Sequence, residues 1–221
     1  MFKGIIFVLF LAIFVTGCSV KNSIPVEYHT KPLNIQNANN SNSVGITKWS
    51  DKRSVTSVKD PLSEKAVMRM GPATIGITNN GQEFVRVADF IRDNFIKELQ
   101  SLGVNVKPID LIPVSDDRDL LKNIANNNNV NFVISGELLN FDINCHGSWT
   151  LECTRNVNFV LTMVDKLGDK IITRELFSSV MANNEGMGVL HKTLLDQLTN
   201  EVLREALFKA ISTTIKEINK H

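Results

Sequence analysis

The sequence predicts one α+β domain, a mixed or antiparallel sheet in the order β-β-α-β-α-β-β-β-α with its helices mainly on one face. Three observations predict it. Phe84, Ala88, Ile91, Phe95, Leu99 and Leu102 recur at spacings of three and four, the stripe of a helix that lies on a sheet. Val157, Phe159, Leu161 and Met163 alternate, the pattern of a strand with one buried face. Strand-like runs are separated by helices early in the chain and follow one another later, which excludes a purely alternating α/β fold.

Val44–Trp49 is the first strand, with Val44, Ile46 and Lys48 alternating against Gly45, Thr47 and Trp49, and Asp51-Lys52-Arg53 closes it. The residues up to Pro72 show no period and carry the turn signals Asp60-Pro61 and Gly71-Pro72. They read as a long loop with at most a short edge pairing. Ala73–Thr78 is the second strand and Asn79-Asn80-Gly81 its turn. The amphipathic helix then ends at Leu102, with Gly103 suited to the left-handed position past a helix end and Val104 placed to pack back on the last turn. Val104–Lys107 resumes as a strand between the helix and Pro108. Ser115-Asp116-Asp117 supplies a cap and two anions for a second helix, buried through Leu120, Leu121, Ile124 and Ala125 and ended by Asn126–Asn129. Phe132–Ile143 is a long strand whose apolar parity changes, which places a bulge near Gly136. Asp165–Asp169 turns the chain into a third strand of this meander, Lys170–Val180. Asn183–Gly188 reads as a flexible link into a last helix from about Val189 to Ile218, its buried side running from Leu195 and Leu198 to Ile215 and Ile218. No repeat or second domain is visible, so residues 44–221 form a single unit.

The first eighteen residues decide where the chain resides. Lys3 is followed by the eleven-residue apolar run Gly4–Phe14 and by Val15-Thr16-Gly17-Cys18. This resembles a bacterial lipoprotein signal with its lipobox. The resemblance implies cleavage after residue 17 and acylation of Cys18, by chains such as palmitate; the alternatives are a plain signal peptide and an uncleaved span, for which the run is too short. Ser19 rather than Asp after the cysteine implies sorting to the inner leaflet of an outer membrane. Residues 18–43 carry Pro25, Pro32 and an Asn-rich tail, and read as a tether with a reach of about 25–30 Å; alternatively, Ile24–Leu33 lies on the domain as an edge segment.

Composition narrows the partners. Lys3 is the only charged residue of the leader, so the mature chain has 23 basic residues against 23 acidic ones, without a basic cluster. Nucleic acid and anionic membrane surfaces reward clustered Lys and Arg, so neither is expected as the main partner. Cys145 and Cys153 remain once Cys18 is acylated, at the two ends of a hairpin, and an even pair outside the cytoplasm reads as a disulfide. A metal held by Cys145, His146 and Cys153 is the alternative, disfavoured because neighbours on a strand point to opposite faces. Trp149 sits at the hairpin tip, where it either packs under the loop or contacts a partner.

No phosphate-binding glycine loop, Gly-x-Ser-x-Gly, His-Glu-x-x-His or Cys-x-x-Cys is present, and the four histidines are scattered. The chain is therefore expected to be no enzyme and to need no cofactor or metal. Asp51 with Arg53 reads as a local ion pair or turn cap rather than a binding pair, and Asp116, Asp117 and Asp119 as a solvated helix start rather than a cation site.

The lipobox, Trp49-Ser50-Asp51-Lys52-Arg53, Ile75–Gly81 before the helix that closes in Leu102–Val106, and Ser135-Gly136-Glu137-Leu138 together resemble the YajG-like bacterial lipoproteins, and more distantly the auxiliary lipoproteins of envelope transporters, over Val44–Ile218. The resemblance implies a non-catalytic envelope protein and transfers no site residue. The expected role is an outer-membrane, periplasm-facing interaction or accessory subunit in envelope assembly or transport, with an envelope protein as partner. The alternative is a domain binding lipid or cell-wall glycan in an apolar groove on the sheet's uncovered face or at the helix–sheet seam.

Overall fold

The computed structural model describes residues 27–35, 37–38, 42–53, 63–68, 71–76, 78–79, 82–83, 86–114, 117–146, 150–185 and 191–220. The strands are β1 Ser43–Thr47, β2 Ser50–Asp51, β3 Ser63–Met68, β4 Gly71–Gly76, β5 Thr78–Asn79, β6 Gln82–Glu83, β7 Asn105–Ile109, β8 Phe132–His146, β9 Thr150–Asp165 and β10 Lys170–Glu185; the helices are α1 Val87–Ser101, α2 Arg118–Asn128 and α3 His191–Ile218. The predicted α+β architecture is the one observed, with short strands added to the predicted order.

The sheet runs β10-β9-β8-β1-β7. β7, β1 and β8 are parallel, joined through helices, and β8, β9 and β10 form the antiparallel meander. β8 organises the sheet because it is longer than any strand on its parallel edge. Along one edge it pairs in succession with β1 at Phe132–Ile134, β2 at Glu137–Leu138 and β3 at Ile143–Asn144. This explains why Ser63–Met68, predicted within a loop, is a strand: it occupies the part of the β8 edge that β1 does not reach and pairs with β4 on its other side. Pro108 lies in β7, the outer strand, where a missing N–H is tolerated.

One core packs α1 and α3 on the face carrying Phe132, Ile134, Leu138, Phe141, Phe159 and Leu161. α2 covers the other face at one end, through Leu121, Ile124 and Ala125 against Val133 and Val164. Two of the three described helices thus share a face, as predicted. α1 ends as its sequence requires: Gly103 has φ 84°, its N–H bonds Gln100 O, and Val104 N–H reaches Leu99 O. Asp117 caps α2 by accepting from Asp119 N–H, and Asn129 ends it in the left-handed region.

Three expectations need correction. The bulge in β8 falls between Leu138 and Asn140, not near Gly136; Leu138 is the buried member of the Leu138-Leu139 pair, so the parity changes one step later. Trp49 is fully buried rather than on the face opposite Val44 and Ile46, because β1 stops at Thr47 and the strand alternation ends with it. β10 continues through Asn183–Glu185, expected in a flexible link, because these residues pair with Thr150–Glu152 of β9.

Arg92 of α1 joins the helix to the sheet. Its guanidinium donates to the carbonyls of Ile46, Thr47 and Ile109, at the C-terminal ends of β1 and β7, and to Asp93. At the opposite edge Lys209 of α3 donates to Phe177 O and to Glu205, and Arg174 donates to Thr213.

Candidate functional site

The β8–β9 hairpin carries the bridge at its end. Cys145 and Cys153 stand directly opposite in the ladder, Cα–Cα 4.1 Å, and are joined as a disulfide. Both are buried with Ile143 against Leu194, Leu195 and Leu198 of α3, so the bridge packs on the core besides closing a loop. With both sulfurs in one bond neither is free to ligate a metal, and among the described residues no three His, Cys, Asp or Glu side chains converge. Trp149 lies outside the described residues, as do Cys18 and the leader that precedes it.

A strap formed by residues 27–35 lies across the helices. Tyr28 donates to Glu98 of α1 at 2.9 Å, Asn200 of α3 accepts from His29 N–H and donates to Glu27 O, and Leu33 enters the core. Ala38 N–H then bonds Leu102 O. Of the two readings of this segment, tether or packed edge, its described part matches the packed one, although it lies on helices and not at a sheet edge. Burial, then the adjacent Glu98 carboxylate, push the Tyr28 hydroxyl well above its ordinary range. Burial likewise raises Glu98, against the Tyr28 hydrogen bond and the Arg204 charge. A shallow groove of about 420 Å³ lies beside the strap, lined by Leu33, Val180 of β10 and Glu201, Arg204, Glu205 and Phe208 of α3.

Beyond the end that α2 covers, the second face of the meander carries no described element and is polar, which corrects the expectation of an apolar groove there. Cross-strand register sets out three rows: Phe177–Asn158–Asn140, Ser179–Asn156–Asp142 and Met181–Thr154–Asn144. Asp142 accepts from Asn140 at 3.1 Å and Asn156 at 2.8 Å, Ser179 donates to Asn156, and Asn158 donates to Glu175. Phe177 and Met181 are exposed beside them. Sequence reasoning followed the apolar set of these strands and missed the Asn residues at alternate positions, the signal that marks this face.

Asp51 and Arg53 form the predicted local pair, a two-point contact at 2.8 and 2.7 Å. Arg155, on the core side of β9, is buried with its guanidinium carbon 4.0 Å from the Phe141 ring centroid, a placement the sequence did not suggest. Among the described residues no helix is long and apolar enough to cross a membrane.

No known family profile matches the chain, and no curated protein matches it in sequence. Solved structures do. The chain is similar to protein XCC0632 from Xanthomonas campestris, of family DUF330, with a TM-score of 0.56 at 8% identity over 88% of this chain and 94% of that one. It is also similar to the hypothetical protein CT253 from Chlamydia trachomatis, with a TM-score of 0.46 at 9% identity over 81% and 99% of the two chains. Lipoprotein GNA1162 from Neisseria meningitidis is a more distant likeness, with a TM-score of 0.30 at 9% identity over 73% and 96%. What the chain shares with XCC0632 is the fold.

Proposed function

We propose that the chain is a non-catalytic lipoprotein, anchored through acylated Cys18 in the outer membrane with its domain in the periplasm, that serves as an accessory subunit to an envelope protein in assembly or transport. Kinship with the YajG-like lipoproteins belongs to the same proposal. The observation that carries it is the hairpin. Strands of 15 and 16 residues end in a buried bridge pinned to α3, leaving only Gly147, Ser148 and Trp149 between them. So short a connection leaves little chain to order when a partner binds, and Trp149 is the side chain there suited to anchor a contact. The strap adds a distance limit: nine residues from Cys18 to Glu27 hold the domain within about 30 Å of the anchor.

Crosslinking in intact cells followed by mass spectrometry of the captured chain tests the proposal. One envelope protein is expected repeatedly, with capture reduced by Trp149→Ala while the melting temperature holds. Failure to capture any partner, or a Trp149→Ala variant that unfolds, contradicts it.

A further inference from the structure

We infer that the uncovered face of the β8–β9–β10 meander is a binding site for a neutral hexopyranose oligomer, separate from the partner contact proposed at the hairpin loop. Residue type is the first observation. Asn and Asp are depleted from strands, where Thr or a β-branched residue fits better, because their side chains compete for backbone hydrogen bonds. Yet Asn140, Asp142, Asn144, Asn156, Asn158 and Asn183 share this one face. A local conflict with strand propensity concentrated on one surface is the kind that marks functional positions.

The second observation is an exposed aromatic in register with the amides. Phe177 is 54% exposed and heads the row Asn158–Asn140, and Met181, 64% exposed, flanks it two rows away. Strands about 4.8 Å apart, with same-face residues about 7 Å apart along each, make a flat lattice on the scale of a sugar residue. The third observation is charge. Glu137, Asp142, Glu152 and Glu175 lie on this face, and the basic strand positions that share it are peripheral: Lys170 at the end that α2 covers and Lys65 on the neighbouring β3. The excess of carboxylates disfavours phosphate, sulfate and uronate ligands.

These observations favour one ligand chemistry. A sugar hydroxyl both donates and accepts, and so does each Asn amide, while the carboxylates accept. Asp142 holds the amides of Asn140 and Asn156 in place before any ligand arrives, which reduces the ordering needed on binding. The Phe177 ring supplies an apolar surface for the C–H face of a pyranose.

Saturation-transfer NMR on the full-length protein, in a detergent without a sugar headgroup, tests this with chitotetraose and cellotetraose as probes and tetragalacturonate and tetralysine as controls. Transfer to at least one neutral tetrasaccharide is expected, weakened about tenfold by Phe177→Ala and by Asn156→Ala with melting unchanged. Asn156 is half-buried; should its variant lose the fold, Phe177→Ala, at an exposed side chain, decides alone. Three results overturn the inference: no transfer to either neutral probe, transfer undiminished by Phe177→Ala, or equal binding of tetragalacturonate. Selective binding of tetralysine also overturns it, since the face would then be a surface for a basic peptide. Loss of partner capture by Trp149→Ala leaves this inference untouched, so the two proposals fail independently.

Discussion

Trp49 packs directly on the backbone of Gly136, so closely that a Cβ at Gly136 would overlap the indole carbons. The ring is fully buried, and its centroid lies 5.8 Å from that of Phe95 in α1 and 5.2 Å from that of Phe159 in β9. Gly136→Ala is expected to lower stability by about 1–3 kcal/mol through overpacking, and Trp49→Ala by about 3–5 kcal/mol through the cavity it leaves. The two changes should not add, because removing the indole makes room for the methyl. Urea unfolding of both single variants and the double variant measures the coupling; simple additivity would count against the contact.

Arg92 donates to three carbonyls at the ends of β1 and β7. Lysine carries the charge but lacks the planar fork that serves them together. Arg92→Lys should cost about 1–3 kcal/mol, with faster amide exchange at the ends of β1 and β7. An unchanged denaturation midpoint and exchange pattern would show that the staple is dispensable.

The Cys145–Cys153 bridge closes a short loop, so the entropic model gives it about 2–3 kcal/mol. The Cys145→Ser, Cys153→Ser double variant should lose about that much in urea unfolding, and thiol labelling of the native mature protein should find neither cysteine free. Labelling of both in the folded protein contradicts the bridge.

Glu98 predicts a dependence on pH. Its folded carboxyl titrates above the ordinary 4.5, chiefly through burial, so the folded chain holds this proton more tightly than the unfolded chain does. The resulting stability is fully present below about 4.5 and is lost as pH rises through the raised folded value. Glu98→Gln removes the titration while Gln can still accept from Tyr28. Relative to wild type the variant should therefore gain stability as pH rises across that window, and hold the gain above it. A difference that is constant from acid to neutral pH refutes the assignment.

Much of the fold was legible because local chemistry and tertiary demand agree. The apolar stripe of α1, the left-handed Gly103 after it and the alternation of Val157–Met163 each specify an element without reference to distant residues. The misreadings occur where a partner far along the chain decides. Gly136 is required by Trp49 and not by a bulge; β3 is a strand because β8 has an open edge; the strap is held by single side chains, Tyr28 and Leu33, that leave no period. Of the candidate sites the disulfide was readable from an even cysteine pair at the ends of two strand-like runs behind an export signal. The Asn-rich face was not, since it emerges only when the register aligns three strands, and alternation had been traced through their apolar residues.

The bond from Lys209 to the Phe177 carbonyl has a consequence for the behaviour of the chain among its own copies. β10 is an outer strand of sixteen residues, with exposed Phe177 and Met181 on the open side of the sheet. Such an edge is a template for strand addition and hence for aggregation. Lys209 places a solvated ammonium over the middle of that template, where an incoming strand must displace it and leave a charge poorly hydrated. A sheet that keeps a broad polar face uncovered thereby has its vulnerable margin guarded by a side chain borrowed from the helix above.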